Sequence, residues 1–189
     1  MPRIKHAKRL KDLPAPRHAA VMEEIRNAVH TDRAAAIIGA AYVDMVLREA
    51  ISERMAQRDH GVIELLFEDR GPLQPFGAKI QLGYALGIYA LGIYQDLRAI
   101  KDIRNAFAHS AEALDFGKAD INRLIIELNL PRKVRFSGRP KPATSRELYV
   151  TAVELVTDGL LSDIVRRAKG MPGERILRLS GRRLPTLSP

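Results

Sequence analysis

Apolar residues along most of this chain recur every three or four positions, which is the spacing that gives a helix one buried face. The clearest case is the segment 93–109, whose predicted buried stripe consists of Ile93, Leu97, Ile100, Ile103 and Phe107. Strands require alternation of apolar and polar residues, and no alternating run longer than a few residues occurs. The pattern therefore predicts an all-α fold.

The same periodicity, together with capping and breaking residues, predicts where the other helices lie. Asp32 is expected to cap a long helix, and Thr144 with Glu147 forms a capping-box pattern at the start of another. The tandem pentapeptide ALGIY at 85–94 does not have a helical period, so we expect a chain break near Leu91 and Gly92. The predicted helices span residues 17–29, 33–58, 62–68, 77–89, 93–109, 118–128 and 145–168. We expect a compact helical bundle of about six to seven helices.

Composition divides the chain into a helical body with basic ends. Residues 1–12 form a predicted basic arm, 13–169 a single helical domain, and 170–189 a flexible tail rich in glycine and proline. Within the body, residues 131–144 are interpreted as an exposed basic linker that precedes the C-terminal helix at 145–168. A length of 189 residues fits one such domain.

Positive charge is concentrated in three segments. Residues 1–12, 131–146 and 166–183 together carry +16, so the remainder carries −7 within a net charge of +9. Basic segments on an acidic body fit a nucleic acid or another polyanion as partner, although solvated tails that keep the protein soluble explain them equally well. The candidate residues for nucleic-acid or polyanion binding are Arg132, Lys133, Arg135, Arg139 and Lys141.

Several classes of protein are excluded by what the sequence lacks. The absence of cysteine removes disulfides, thiolate nucleophiles and cysteine-based zinc sites, and the scattered histidines show no ligand spacing, so we expect no metal and no cofactor. The N-terminus has no signal-peptide pattern and no apolar run reaches the length of a membrane span, so we expect a cytoplasmic protein without a membrane partner. Common hydrolase and phosphate-loop motifs are also missing.

One charged residue lies within the predicted stripe of segment 93–109. Arg104 follows Leu97 by seven residues and so points into the presumed core, where an unpaired guanidinium would be very costly. Asp44, on the apolar face of the long helix at 33–58, is the best candidate partner for a buried ion pair. The alternative is that Asp44 lies at the edge of its face and reaches water or Arg48.

Four blocks in order resemble the mannitol operon repressor family of bacterial proteins. They are DRAAAIIGAAYVDMVLREAI at 32–51, LLFEDRGPLQPFGAKIQLGYALGIY at 65–89, DLRAIKDIRNAFAHS at 96–110 and LDF at 114–116, so the resemblance covers about residues 30–130. It implies a regulatory role and an all-helical fold. No pair of segments has the pattern of a helix-turn-helix, so repression would act through a protein partner or through the basic segments.

A more distant resemblance links the RNAFAH ending of segment 93–109 to the HEPN superfamily. Its ribonuclease members carry an arginine, often followed by Asn, His or Asp, and a histidine four to six residues after the arginine. Arg104, Asn105 and His109 match this arrangement. The histidine would exchange a proton and the arginine would stabilise charge on a phosphate. Positions five apart diverge on one helix, so two protomers would have to build the pocket. We favour a structural role, with Arg104 in a core ion pair and His109 capping the last turn.

These observations lead to one preferred hypothesis and two alternatives. We expect a cytoplasmic helical regulator related to the mannitol operon repressor family, acting in transcriptional control as a homodimer. The first alternative is a HEPN-like, metal-independent ribonuclease or toxin with a composite Arg104, Asn105 and His109 site at a dimer interface. The second is a binding module of a toxin–antitoxin or defence system without activity of its own.

Overall fold

The computed structural model describes residues 15–26, 31–56, 59–68, 70–133 and 141–170. Helices account for the regular structure of these residues and no strand is formed among them, so the predicted all-α fold is confirmed. Eight helices are described, one more than the upper end of the expected range. They are α1 (Ala15–Arg26), α2 (Asp32–Ser52), α3 (His60–Phe67), α4 (Phe76–Ala85), α5 (Leu91–His109), α6 (Ala119–Ile126), α7 (Asn129–Lys133) and α8 (Ser145–Ala168).

Helix α2 is the centre of the bundle and packs against α8, α5, α4 and α1. Small residues let α8 approach closely, since a Cβ added to Gly39 would lie 3.3 Å from side-chain atoms of both Tyr149 and Val153. The N-cap of α2 is Thr31, whose hydroxyl accepts from the backbone N–H of Ala34, so the expectation that Asp32 caps this helix is wrong. The Asp32 carboxylate makes tertiary contacts instead: it binds Arg146 of α8 at 2.5 Å and accepts from the backbone N–H of Phe116 at 2.9 Å.

The break between α4 and α5 lies at residues 86–90, a few residues before the position that the tandem repeat predicts. Gly87 adopts a positive φ of 67°, which turns the chain sharply at low steric cost. The turn folds Tyr89 back under α4, where its buried hydroxyl donates to the carbonyl oxygen of Ile80 at 2.7 Å. Gly83 leaves the space that the Tyr89 ring fills, because a Cβ there would lie 2.6 Å from the Tyr89 hydroxyl oxygen.

The last third of the described chain contains one unpredicted helix and one confirmed cap. The predicted helix at 118–128 is observed as α6, and Asn129 then begins the short helix α7, in which Leu130 and Pro131 are buried. The capping box of α8 is confirmed: Thr144 accepts from the backbone of Glu147, and the Glu147 carboxylate accepts from the backbone of Thr144. The basic arm at 1–12, residues 134–140 of the basic linker and the tail beyond Gly170 lie outside the described residues.

Among the residues that the structure describes, no helix is both long and apolar enough to cross a membrane.

Candidate functional site

The buried stripe of α5 is confirmed, but Arg104 is not part of it. All five predicted apolar residues of the stripe are 2% exposed or less, whereas Arg104 is exposed. Its Nη1 donates to the side-chain oxygen of the adjacent Asn105 at 3.0 Å. At this level α5 faces an open cavity and not a packed helix, so the long side chain extends into the opening with its charge solvated.

Asp44 pairs with a different cation, Lys79 of α4. The Lys79 Nζ lies 2.9 Å from Asp44 Oδ1 and donates to the carbonyl oxygen of Gln74 at 3.1 Å, while its side chain is only 6% exposed. The expected buried pair of Asp44 with Arg104 is therefore wrong. Burial raises the pKa of Asp44, and the bond from Lys79 and the charges of Lys79, Arg104 and Arg48 oppose that rise.

Sequence reasoning overlooked Lys79, although one signal for it was present. The predicted helix at 77–89 is apolar on nearly all sides, and Lys79 is the single charged residue between residues 71 and 95. A lone cation within an apolar helix must be neutralised if it is buried. Its position four residues into α4 places the ammonium group against the middle of α2, where Asp44 is the acid within reach.

An open cavity of about 450 Å³ lies where α2, the start of α4 and α5 meet. Its charged lining residues are Asp44, Lys101 and Arg104, and Asn105 supplies an amide. The remaining wall is made by Ala40, Ala41, Gln74, Pro75, Phe76 and Gly77. Two members of the RNAFAH motif therefore lie in a concave, charged site, which is the best candidate for ligand binding in the described part of the chain.

His109 is separate from this cavity. It is exposed at the last residue of α5 and is not among the residues that line the opening. Within one protomer, Arg104 and Asn105 are thus brought together, and His109 is not. A pocket built from two protomers, with these three residues as its catalytic groups, stays a prediction.

Only part of the predicted polyanion site falls within the described residues. Arg132 and Lys133 are exposed in the last turn of α7, and Lys141 is exposed shortly before α8. Arg135 and Arg139 lie outside the described residues. A role for these five residues in binding nucleic acid stays a prediction.

Two buried polar clusters that the sequence did not reveal hold the helices together. Asp96 of α5, 1% exposed, accepts bonds from the backbone N–H groups of Asn129 and Leu130 at 2.7 and 2.8 Å and from the Asn129 amide at 2.9 Å. Just after the end of α2, Arg54 binds Asp163 of α8 at 2.5 Å, and both side chains are nearly inaccessible. These contacts join residues far apart in sequence, so no local pattern indicates them.

A third cluster attaches α1 to the bundle. His18 places Nδ1 2.7 Å from the hydroxyl oxygen of Tyr42 and Nε2 2.7 Å from a carboxylate oxygen of Asp158. Burial, with a smaller contribution from Asp158, raises the pKa of Tyr42 to about 12, so the phenol stays protonated. No group of three or more His, Cys, Asp or Glu side chains within the described ranges is arranged to hold a metal ion.

Comparison with known proteins adds a family and a fold. A family model described as mannitol repressor matches residues 34–163. One solved chain, from the X-ray structure of the MtlR–HPr complex from Escherichia coli, is similar with a TM-score of 0.54 at 19% sequence identity, covering 79% of this chain and 96% of that chain. A comparison with curated proteins finds no match.

Proposed function

We propose that this chain, which belongs to the mannitol repressor family, is a regulator of transcription that acts by binding another protein. The family match runs from the first turn of α2 to within the last two turns of α8, so it covers most of α2 and α8 and all the helices between them. The supporting observation is the shared fold with an MtlR chain whose structure contains HPr. We propose a protein of the HPr kind as the partner.

The turn between α4 and α5 offers a surface suited to a protein partner. Three large apolar side chains are exposed there, Tyr84 at 39%, Leu86 at 41% and Leu91 at 54%. The Tyr84 ring packs on Tyr94 with centroids 4.8 Å apart, and the Arg98 guanidinium lies over the Tyr94 ring. Aromatic residues and arginine are enriched in protein interfaces, so we place the partner on this cluster, called the α4–α5 surface below.

Binding of purified HPr from the same organism, measured by isothermal titration calorimetry, tests the proposal. Leu91→Glu places a charge on the apolar α4–α5 surface and should therefore abolish binding. The helix itself should stay intact, because an acidic residue is favourable in the first turn of α5. Leu65→Glu is the matched control, because Leu65 is 71% exposed on α3. Absence of binding by the wild type would refute this partner, and loss of binding only in Leu65→Glu would refute the surface.

The oligomeric state and contact with DNA are separate parts of the proposal. We propose a homodimer, which size-exclusion chromatography with light scattering would detect as twice the chain mass of 21.1 kDa. Direct DNA binding through the basic residues would appear in gel shifts as an affinity that falls steeply with salt and weakens in Arg132→Gln. A mass equal to that of one chain would contradict the homodimer. A gel shift that Arg132→Gln leaves unchanged would contradict DNA binding through the basic residues.

A further inference from the structure

We propose that the cavity between α2, α4 and α5 binds a small molecule that carries a phosphate group, with Arg104 and Lys101 supplying the positive charge. Binding at this site is independent of the protein partner proposed above. The cavity volume of about 450 Å³ lies in the usual range of small-molecule sites, and its wall combines apolar side chains with a few charged groups.

One cation at the cavity, Arg104, forms no direct ion pair with a carboxylate of the described residues. Asp44 is neutralised by Lys79 at 2.9 Å, and Lys101 lies 3.0 Å from the carboxylate of Asp102. The guanidinium of Arg104 contacts only the neutral amide of Asn105 among the described residues. A guanidinium has five N–H donors, so most of those on Arg104 remain for a ligand.

Lys101 is able to turn towards a ligand at little cost. Its partner Asp102 is the next residue on the same helix, is 46% exposed and does not line the cavity. An ion pair of this kind in water contributes little stability, so an anion in the cavity competes for the ammonium group effectively. Arg104 follows Lys101 by three residues, which places both side chains along one side of α5.

The first turn of α4 adds donors at the same wall. Its N-cap residue, Pro75, provides no side-chain cap, while Phe76 and Gly77 line the cavity. The backbone N–H of Ala78 bonds to the carbonyl oxygen of Pro75, which leaves the N–H groups of Phe76 and Gly77 as the first-turn donors for a phosphate group. Gly77 has no side chain to cover this turn, and the bond from Lys79 to the carbonyl oxygen of Gln74 holds the preceding segment in place.

This combination favours phosphate over other ligand chemistries. A guanidinium forms paired bonds to phosphate oxygens, and an ammonium and a helix N-terminus add charge and donors from other directions. The one carboxylate in the wall, Asp44, forms its ion pair with Lys79 and acts on Arg104 only through charge at longer range, so the guanidinium N–H groups stay open to a ligand.

Calorimetric titration of the full-length protein with inorganic phosphate, against chloride at equal ionic strength, tests this site. We expect saturable phosphate binding in the wild type and about tenfold weaker binding in Arg104→Gln, because one charge-assisted contact is lost. Lys101→Gln should weaken binding as well. Arg123→Gln is the matched control, since Arg123 is 69% exposed on α6 and outside the cavity, and it should bind as the wild type does.

A blocking variant tests the location by a route that does not remove a cation. Ala41 is exposed on α2 and lines the cavity, so Ala41→Glu places a carboxylate in the opening and should abolish phosphate binding. Ala20→Glu on α1, also exposed, should not. The proposal is overturned if phosphate acts no differently from chloride, or if Arg104→Gln and Ala41→Glu both bind phosphate as the wild type does.

Discussion

The carboxylate of Asp96 gives the sharpest test of how this bundle is held together. It is buried on α5 and accepts two backbone N–H groups at the start of α7, from Asn129 and from Leu130, which is itself fully buried. Replacing Asp96 by alanine leaves both donors without their acceptor in a site that water does not reach easily. The link between α6 and α7 would then lose its hydrogen bonds to the Asp96 carboxylate of α5.

The expected loss follows from the cost of buried, unsatisfied donors. Each such N–H group costs about 1–3 kcal/mol, and two are affected. Part of this is recovered, because the variant no longer buries a carboxylate, a desolvation that raises the pKa of Asp96 despite its three donors. We therefore expect Asp96→Ala to lower the free energy of unfolding by about 2–4 kcal/mol and the Tm by about 4–16 °C.

Urea unfolding followed by circular dichroism measures this difference. Asp102→Ala is the control, because Asp102 lies on the same helix, is 46% exposed and should change stability by less than about 0.5 kcal/mol. Asp96→Asn keeps one acceptor oxygen and should fall between the wild type and Asp96→Ala. Equal midpoints for Asp96→Ala and Asp102→Ala would refute the reasoning, since the buried donors would then have found other acceptors.

Three further perturbations test other parts of the structure. Asp44→Ala leaves the buried ammonium of Lys79 without a carboxylate and should cost about 1–3 kcal/mol. Lys79→Met should cost less than about 1 kcal/mol, because the Asp44 side chain is 30% exposed and keeps the charges of Arg104 and Arg48 nearby; equal costs in urea unfolding would contradict this. Gly83→Ala places a methyl group against Tyr89 and should cost about 1–3 kcal/mol, so an unchanged Tm would show that the ring moves freely. Backbone N–H groups before α8 hold the pKa of Glu147 below its ordinary 4.5, so its contribution is present above that pH and is lost as the pH falls through the lowered pKa. The Tm advantage of the wild type over Glu147→Gln should therefore shrink in acid, and a gap independent of pH would contradict the cap.

Features set by neighbours in sequence were predictable. The stripe from Ile93 to Phe107 and the capping box of Thr144 and Glu147 were found because each depends on residues three or four apart on one helix. The break after α4 was also expected, but its position was not, because the burial of Tyr89 beneath α4 decides where the helix ends.

The candidate site shows where such reasoning stops. A helical wheel gives Arg104 the same direction as Leu97, but it does not show that a cavity lies opposite one and a packed helix opposite the other. The wheel also placed Asp44 correctly near a cation, but the cation is Lys79, which comes from another helix. The direction of a side chain around the helix axis follows from the local sequence, whereas the group that it meets is decided by the packing of other helices.

By itself, the sequence determined the helical class, the buried stripe of α5, the capping box of α8 and the resemblance to a repressor family, since these depend on periodicity, capping and motifs along the chain. Only the tertiary structure decided that Lys79 neutralises Asp44, that Asp96 holds the start of α7 and that Arg104 opens onto a cavity. The physical reason is that a buried charge or donor is satisfied by whichever group the packing brings within about 3 Å, however distant it is in sequence.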